Sequence, residues 1–152
     1  MRVIRLGRTF DAVFVHDAVT YMTTEADLSA TLHTVSAHLK SGGATVIAPD
    51  ACAETFRPGE ELGGHDSPDG RAMRWLAWTP PPPPGATCGS SYFAFILRER
   101  DGGIRVVDDE HPFGLFPRAT WLRLLRQAGL AARVELCHID GRAYEVFAAT
   151  KI

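Results

Sequence analysis

Two short apolar runs with a helical stretch between them constrain this chain more than any other feature. Phe10 to Val15 (FDAVFV) and Ala44 to Ala48 (ATVIA) are too short for buried helices and are rich in Val, Ile and Phe. Each reads as a strand buried on both faces, as parallel strands are. Between them, Thr24 and Asp27 have the S/T-x-x-D/E spacing of a helix start. Leu28, Leu32, Val35 and Leu39 then recur at helical spacing as one apolar stripe. His33, His38 and Lys40 fall off the stripe, and both histidines are expected to be exposed. Gly42 and Gly43 are expected to end the helix, because glycine tolerates the left-handed conformation of a C-cap. Connections this short predict a parallel pair joined by a right-handed crossover.

The rest of the chain adds strands around that unit. Residues 51–70 are rich in Gly, Pro and charge and read as a loop. Residues 71–79 and 91–99 read as strands, joined through Pro80 to Pro84. The five prolines suit a stiff surface connection, or else a ligand for a polyproline-binding domain. Asp101-Gly102 is a turn signal, with a returning strand over 103–108. Pro117 suits the first turn of a helix whose buried stripe is Trp121, Leu122, Leu125 and Ala128, ended by Gly129. Residues 132–139 and 143–149 read as strands around a second hairpin signal, Asp140-Gly141. The fold class is α/β: a partial Rossmann-like mixed sheet, parallel β-α-β with a terminal antiparallel pair. It forms one domain over 1–152, with an inserted β-hairpin region over 51–116.

Composition narrows the function. The chain has 152 residues, 45% of them apolar and 22% charged, with a formal charge of −2. This suits one soluble globular domain and argues against disorder or a disulfide scaffold. The near-neutral balance gives no electrostatic footprint for nucleic acid. No apolar run approaches the ~20 residues of a membrane span. The three cysteines, Cys52, Cys88 and Cys137, are dispersed and without CxxC, so they are expected to be reduced, buried thiols of a cytoplasmic protein. The sequence holds no GxGxxG, no phosphate-binding GxxxxGK[ST] and no GxSxG elbow.

The segments FDAVFVHDAVTYM, HLKSGGATVIAPD and HPFGLFPRATWLRLLRQAGL, in this order, resemble the C-terminal part of a class I S-adenosylmethionine-dependent methyltransferase. The first resembles that family's fourth strand and the motif after it, the second the entry to its fifth strand, and the third its last helix before the terminal antiparallel pair. An insertion ahead of that helix is similar to the small-molecule methyltransferases that modify sugars and natural products. The resemblance implies S-adenosylmethionine as cofactor. It also implies transfer of a methyl group to a hydroxyl or amine of a small-molecule acceptor. The family's Gly-rich cofactor loop has no counterpart here. Met1-Arg2 resembles an internal Met-Arg of the family, so Met1 is expected to be internal to a longer reading frame. The fourth-strand equivalent would then be an exposed apolar edge. A homo-oligomer covering Phe10–Val15 is expected, and the alternative function is an inactive fold serving as a dimeric interaction module.

In open α/β sheets ligands bind beyond the carboxyl ends of the strands. His16, Asp17, Ala18 and Tyr21 occupy that position after the first strand, and the resemblance implies that they line the cofactor and acceptor site. Asp17 would orient an acceptor, and Tyr21 would pack near a sulfonium as aromatics do with cations. The plainer readings are a loop cap for Asp17 and a core position for Tyr21. His65 in GGHDSPDG and His111 in DDEHPFG are the general-base candidates, read as loop residues of the insertion. A loop-stapling role is the alternative for both. His and Asp in these segments would also offer metal ligands, but no HxH or HExxH spacing supports a metal. The whole reading requires APD to lie beside HDA.

Overall fold

The computed structural model describes residues 1–139 and 142–152; the hairpin signal at Asp140-Gly141 lies outside them. The chain divides into two compact units: Met1–Phe56 with Gly114–Ile152, and Arg57–Phe113. The second lies within the inserted region read at 51–116.

The first unit holds β1 (Phe10–His16), a short 3-10 turn (Ala18–Tyr21), α1 (Glu25–His38), β2 (Leu39–Ala48), α2 (Arg118–Gln127), β7 (Leu130–Ile139) and β8 (Arg142–Lys151). Its strands lie in the order β1-β2-β8-β7. The β1–β2 pair is parallel, with Phe14 beside Val46 and His16 beside Ala48. The other two pairs are antiparallel. This is the predicted mixed sheet, with the terminal antiparallel pair set against β2.

Alternation along the strands sends Val13 and Val15, Thr45 and Ile47, and Phe147 and Ala149 to one face. There they meet Leu28, Leu32 and Val35 of α1 and Trp121, Leu124 and Leu125 of α2 in a single core. Trp121 stacks on Phe147, with ring centroids 5.0 Å apart. Thr24 caps α1 as its spacing predicts, its hydroxyl accepting the Asp27 N–H at 3.1 Å.

Four expectations need correction, the last of them reaching into the second unit. β1 lies at the sheet edge as expected, but neither apolar run is buried on both faces: Phe14 is 69% exposed and Val46 37%. α1 ends at His38, ahead of the glycines, and β2 begins at once. Gly42 (φ 73) lies where the register jumps between Phe10↔Leu39 and Ala12↔Ala44, a bulge rather than a helix cap. His38 is buried, because its ring closes two backbone contacts: Nε2 accepts the Leu6 N–H at 3.0 Å and Nδ1 donates to the Thr34 carbonyl at 2.7 Å. His33 is exposed as read. Of the cysteines only Cys52 is buried; Cys88 and Cys137 lie on exposed strand positions.

The second unit is one antiparallel sheet of β3 (Gly59–Asp66), β4 (Ala72–Thr79), β5 (Cys88–Arg98) and β6 (Ile104–Gly114, its last residue already in the first unit), in sequential order. Residues 59–66 were expected to be loop. GEELGGHD has weak intrinsic strand preference, but every residue of it pairs with β4. Gly63 is required there: a Cβ would meet the Trp75 ring at 2.4 Å, so the missing side chain is the space the indole occupies.

Candidate active site

The carboxyl ends of β1 and β2 come together. Asp17 N–H donates to the Ala48 carbonyl at 3.3 Å, so APD lies directly beside HDA. Asp17 itself has φ 57 and ψ −71, a positive-φ conformation that side chains rarely adopt. This is the strained γ-turn region, which costs on the order of 1–3 kcal/mol and persists only where the surroundings enforce it. The enforcement is visible. Asp17 carbonyl accepts the Thr20 N–H at 2.8 Å, and Val19 and Met22 anchor the turn in the core. Thr31 Oγ1 donates to Met22 Sδ at 3.1 Å. Gly114 presses on the same turn, since a Cβ on it would meet the Met22 carbonyl oxygen at 2.1 Å. The chain therefore turns sharply at Asp17 and presents His16, Asp17, Ala18 and Tyr21 outward, all exposed. Asp17 makes no side-chain cap bond to the turn, and Tyr21 is not a core residue, so neither plainer reading describes them. The His16 ring stacks against Phe14 at 5.8 Å.

Asp50 is the residue that sequence reasoning passed over. It follows β2 as Asp17 follows β1, and the signal was present in Pro49-Asp50 closing the second strand. Its carboxylate accepts the Thr20 hydroxyl at 3.2 Å. Desolvation, and then the negative charge of Asp17, push its pKa above the ordinary carboxyl value; the Thr20 bond and His16 act in the opposite sense. Two carboxylates thus converge on the outer rim of the parallel pair.

The segment carrying Asp50 is fixed from behind. Cys52 carbonyl accepts the Thr55 and Phe56 N–H groups at 3.0 and 2.9 Å. Glu54 accepts the Arg118 backbone N–H at 3.1 Å, supplying negative charge at the α2 N-terminus. Arg118 makes a bidentate ion pair with Glu145 of β8. Burial first, then the Glu145 and Glu54 carboxylates, push the Cys52 thiol to about 12, so it is not a nucleophile.

His65 and His111 belong to the second unit, and neither is in a loop as expected. His65 lies on edge strand β3, opposite Met73. His111 lies on edge strand β6, with Nε2 3.0 Å from Asp109 and its ring 4.7 Å from that of Phe93. Loop-like residues enter strands here because edge positions need only one partner strand. The two histidines stand on opposite edges of the four-stranded sheet and in different rows of it: His65 shares a row with Met73 and Leu97, whereas His111 lies beside Phe93. Among the described residues no group of three or more His, Cys, Asp or Glu is arranged to hold a metal ion, and no helix is long and apolar enough to cross a membrane.

No protein-family model matches the chain. Over 136 residues it is 32% identical to dTDP-3-amino-3,4,6-trideoxy-alpha-D-glucopyranose N,N-dimethyltransferase of Streptomyces venezuelae, spanning 89% of this chain and 55% of that protein. The crystal structure of Streptomyces venezuelae DesVI superposes with a TM-score of 0.82 at 25% identity, over 99% of this chain and 62% of the other. CalS10, an amino pentose methyltransferase from Micromonospora echinaspora solved with S-adenosylmethionine bound, gives a TM-score of 0.78 at 25% identity over 99% and 62%. The chain spans about half the length of the curated relative it matches. The strand order, the terminal antiparallel pair and these superpositions agree: over the part that it spans, the chain has the fold of the class I S-adenosylmethionine-dependent methyltransferases.

Proposed function

We propose that the chain works in S-adenosylmethionine-dependent methyl transfer to an amine of a small molecule, and that His16, Asp17, Ala18, Tyr21 and Asp50 form its share of the site. The strained turn at Asp17, holding its carboxylate beside Asp50, carries the reading. The donor set suits a cationic group: two carboxylates and a tyrosine at one strand end, with no lysine or arginine among those five residues. Bound S-adenosylmethionine supplies an electrophilic methyl group on a sulfonium. Asp17 and Asp50 favour positive charge at that rim, both before transfer and on the methylated amine. The Tyr21 ring offers its face to the same charge.

The 32%-identical relative is named for methylating an amino sugar on a nucleotide, which favours an amine over a hydroxyl. For proton removal the reading takes His111, whose ring is oriented by Asp109, ahead of His65 on the other edge. A cytoplasmic location and self-association at the open edge of β1, over Phe10–Val15, belong to the same proposal. Calorimetric titration of the purified chain with S-adenosylmethionine tests it, followed by mass analysis with a sugar-nucleotide amine. Micromolar binding that Asp17→Asn weakens about tenfold is expected. No heat at millimolar cofactor would remove the enzymatic reading and leave the interaction module in its place.

A further inference from the structure

Asp17 follows β1 and Asp50 follows β2, and both residues are exposed. Two carboxylates at one rim repel, and an exposed aspartate turns its carboxylate toward water unless a donor holds it. Thr20 supplies that donor. Its backbone N–H donates to the Asp17 carbonyl at 2.8 Å, and its hydroxyl donates to Asp50 Oδ2 at 3.2 Å. One residue therefore ties the turn that carries the first carboxylate to the side chain that carries the second.

Thr20 is itself held in place. It sits in the 3-10 turn directly after Val19, which is 2% exposed. The N–H of buried Met22 closes that turn on the Val19 carbonyl at 3.1 Å. A β-branched side chain has few χ1 rotamers, so a fixed backbone gives the hydroxyl a nearly fixed position. The surroundings of Asp50 call for such a donor. Loss of solvation and then the Asp17 charge oppose its ionisation, as does a hydrogen bond with the Asp17 side chain; the Thr20 bond and His16 favour it.

We propose that Thr20 is a positioning residue: its hydroxyl holds the Asp50 carboxylate beside Asp17, so that a cationic group meets a preformed pair of negative oxygens. Acceptors fixed in advance need no rearrangement when the charge arrives. Thr20 acts through Asp50 and takes no part in bond making itself. The nature of the cation, a sulfonium or an amine, rests on the methyl-transfer reading; the placement of Asp50 by Thr20 does not.

Carboxyl-carbon NMR titration of the intact chain tests the inference, with Asp50→Asn identifying the Asp50 signal. Thr20→Val removes the hydroxyl and keeps the branched shape, whereas Thr20→Ser keeps a hydroxyl. The Asp50 midpoint is expected to rise by about half to one pH unit in Thr20→Val, because a bond to the charged form is lost. In Thr20→Ser it returns close to the wild-type value. A purely structural role would leave the midpoint in place. Calorimetric titration with S-adenosylmethionine is expected to show binding about fivefold weaker for Thr20→Val, the loss growing as pH falls toward the Asp50 midpoint. Should Thr20→Val not fold, Thr20→Ala gives the same readings. An unchanged Asp50 midpoint in a folded chain lacking the hydroxyl overturns the inference, as does a Thr20→Ser chain that titrates like Thr20→Val. No heat from the wild type with S-adenosylmethionine removes the methyl-transfer reading, and the Asp50 midpoint still decides the role of Thr20.

Discussion

The two units reach stability by different routes. The first sheet buries one face under both helices, and its core is continuous from Val15 through Leu32 and Ile47 to Trp121 and Phe147. The second sheet has long β3–β4 and β4–β5 ladders, stacked aromatics and several ion pairs, yet almost nothing apolar is buried in it. A hydrogen-bonded ladder is neutral to weakly favourable once exchange with water is counted, whereas removing apolar surface from water drives folding. The first unit can therefore hold a strained residue at its rim, while the second depends on what covers its faces.

Truncation of a core side chain should separate the units most sharply. Leu32→Ala is expected to cost ~2–5 kcal/mol in denaturant unfolding, because Leu32 has no solvent exposure and its truncation leaves a cavity in the core. In the second unit Phe95→Ala should cost only ~1 kcal/mol, the scale of cross-strand aromatic pairs. Equal losses would mean that the units share a core and would break the distinction.

Gly63→Ala should come next, at ~1–3 kcal/mol, since the added methyl group takes the place of the Trp75 indole. The effect is expected in the second unit alone. Hydrogen exchange should accelerate in β3 and β4 and stay unchanged in α1; slowing or acceleration in both would count against independent units.

The smallest effect concerns pH, and the units should respond in opposite directions. The pKa of Asp50 is raised above 3.8, so its contribution favours the folded state at low pH and is lost as pH rises through the raised value. Asp50→Asn should therefore gain stability relative to wild type as pH rises through the carboxyl range. Asp69, in the turn between β3 and β4, is held well below 3.8, first by Arg100 and then by Ser67 and Arg71. Its contribution is present above the ordinary value and lost on acidification. Asp69→Asn should thus approach wild type as pH falls. Melting temperatures of both variants across the acidic range check the two signs.

Local chemistry made much of this legible in advance. FDAVFV and ATVIA had no other regular structure open to them, and Thr24 with Asp27 fixed where α1 begins. Gly129 marked the end of α2 by its left-handed φ of 76. The site was partly legible, because strand ends in such sheets face ligands, and His16, Asp17 and Tyr21 stand there. GEELGGHD was not legible as a strand, since its pairing depends on β4 and on Trp75 filling the place of an absent side chain. His38 was misread because hydrophobic periodicity cannot see the Leu6 amide that its ring accepts.

The sequence by itself determined the parallel pair, the two helices and which residues would follow the first strand, because those follow from side-chain pattern over neighbouring residues. Only the tertiary structure decided that Asp17 would be strained, that Asp50 would meet it from the next strand, and that Thr20 would bridge the two. Each depends on residues distant in the chain arriving at one place, and no local preference encodes that meeting.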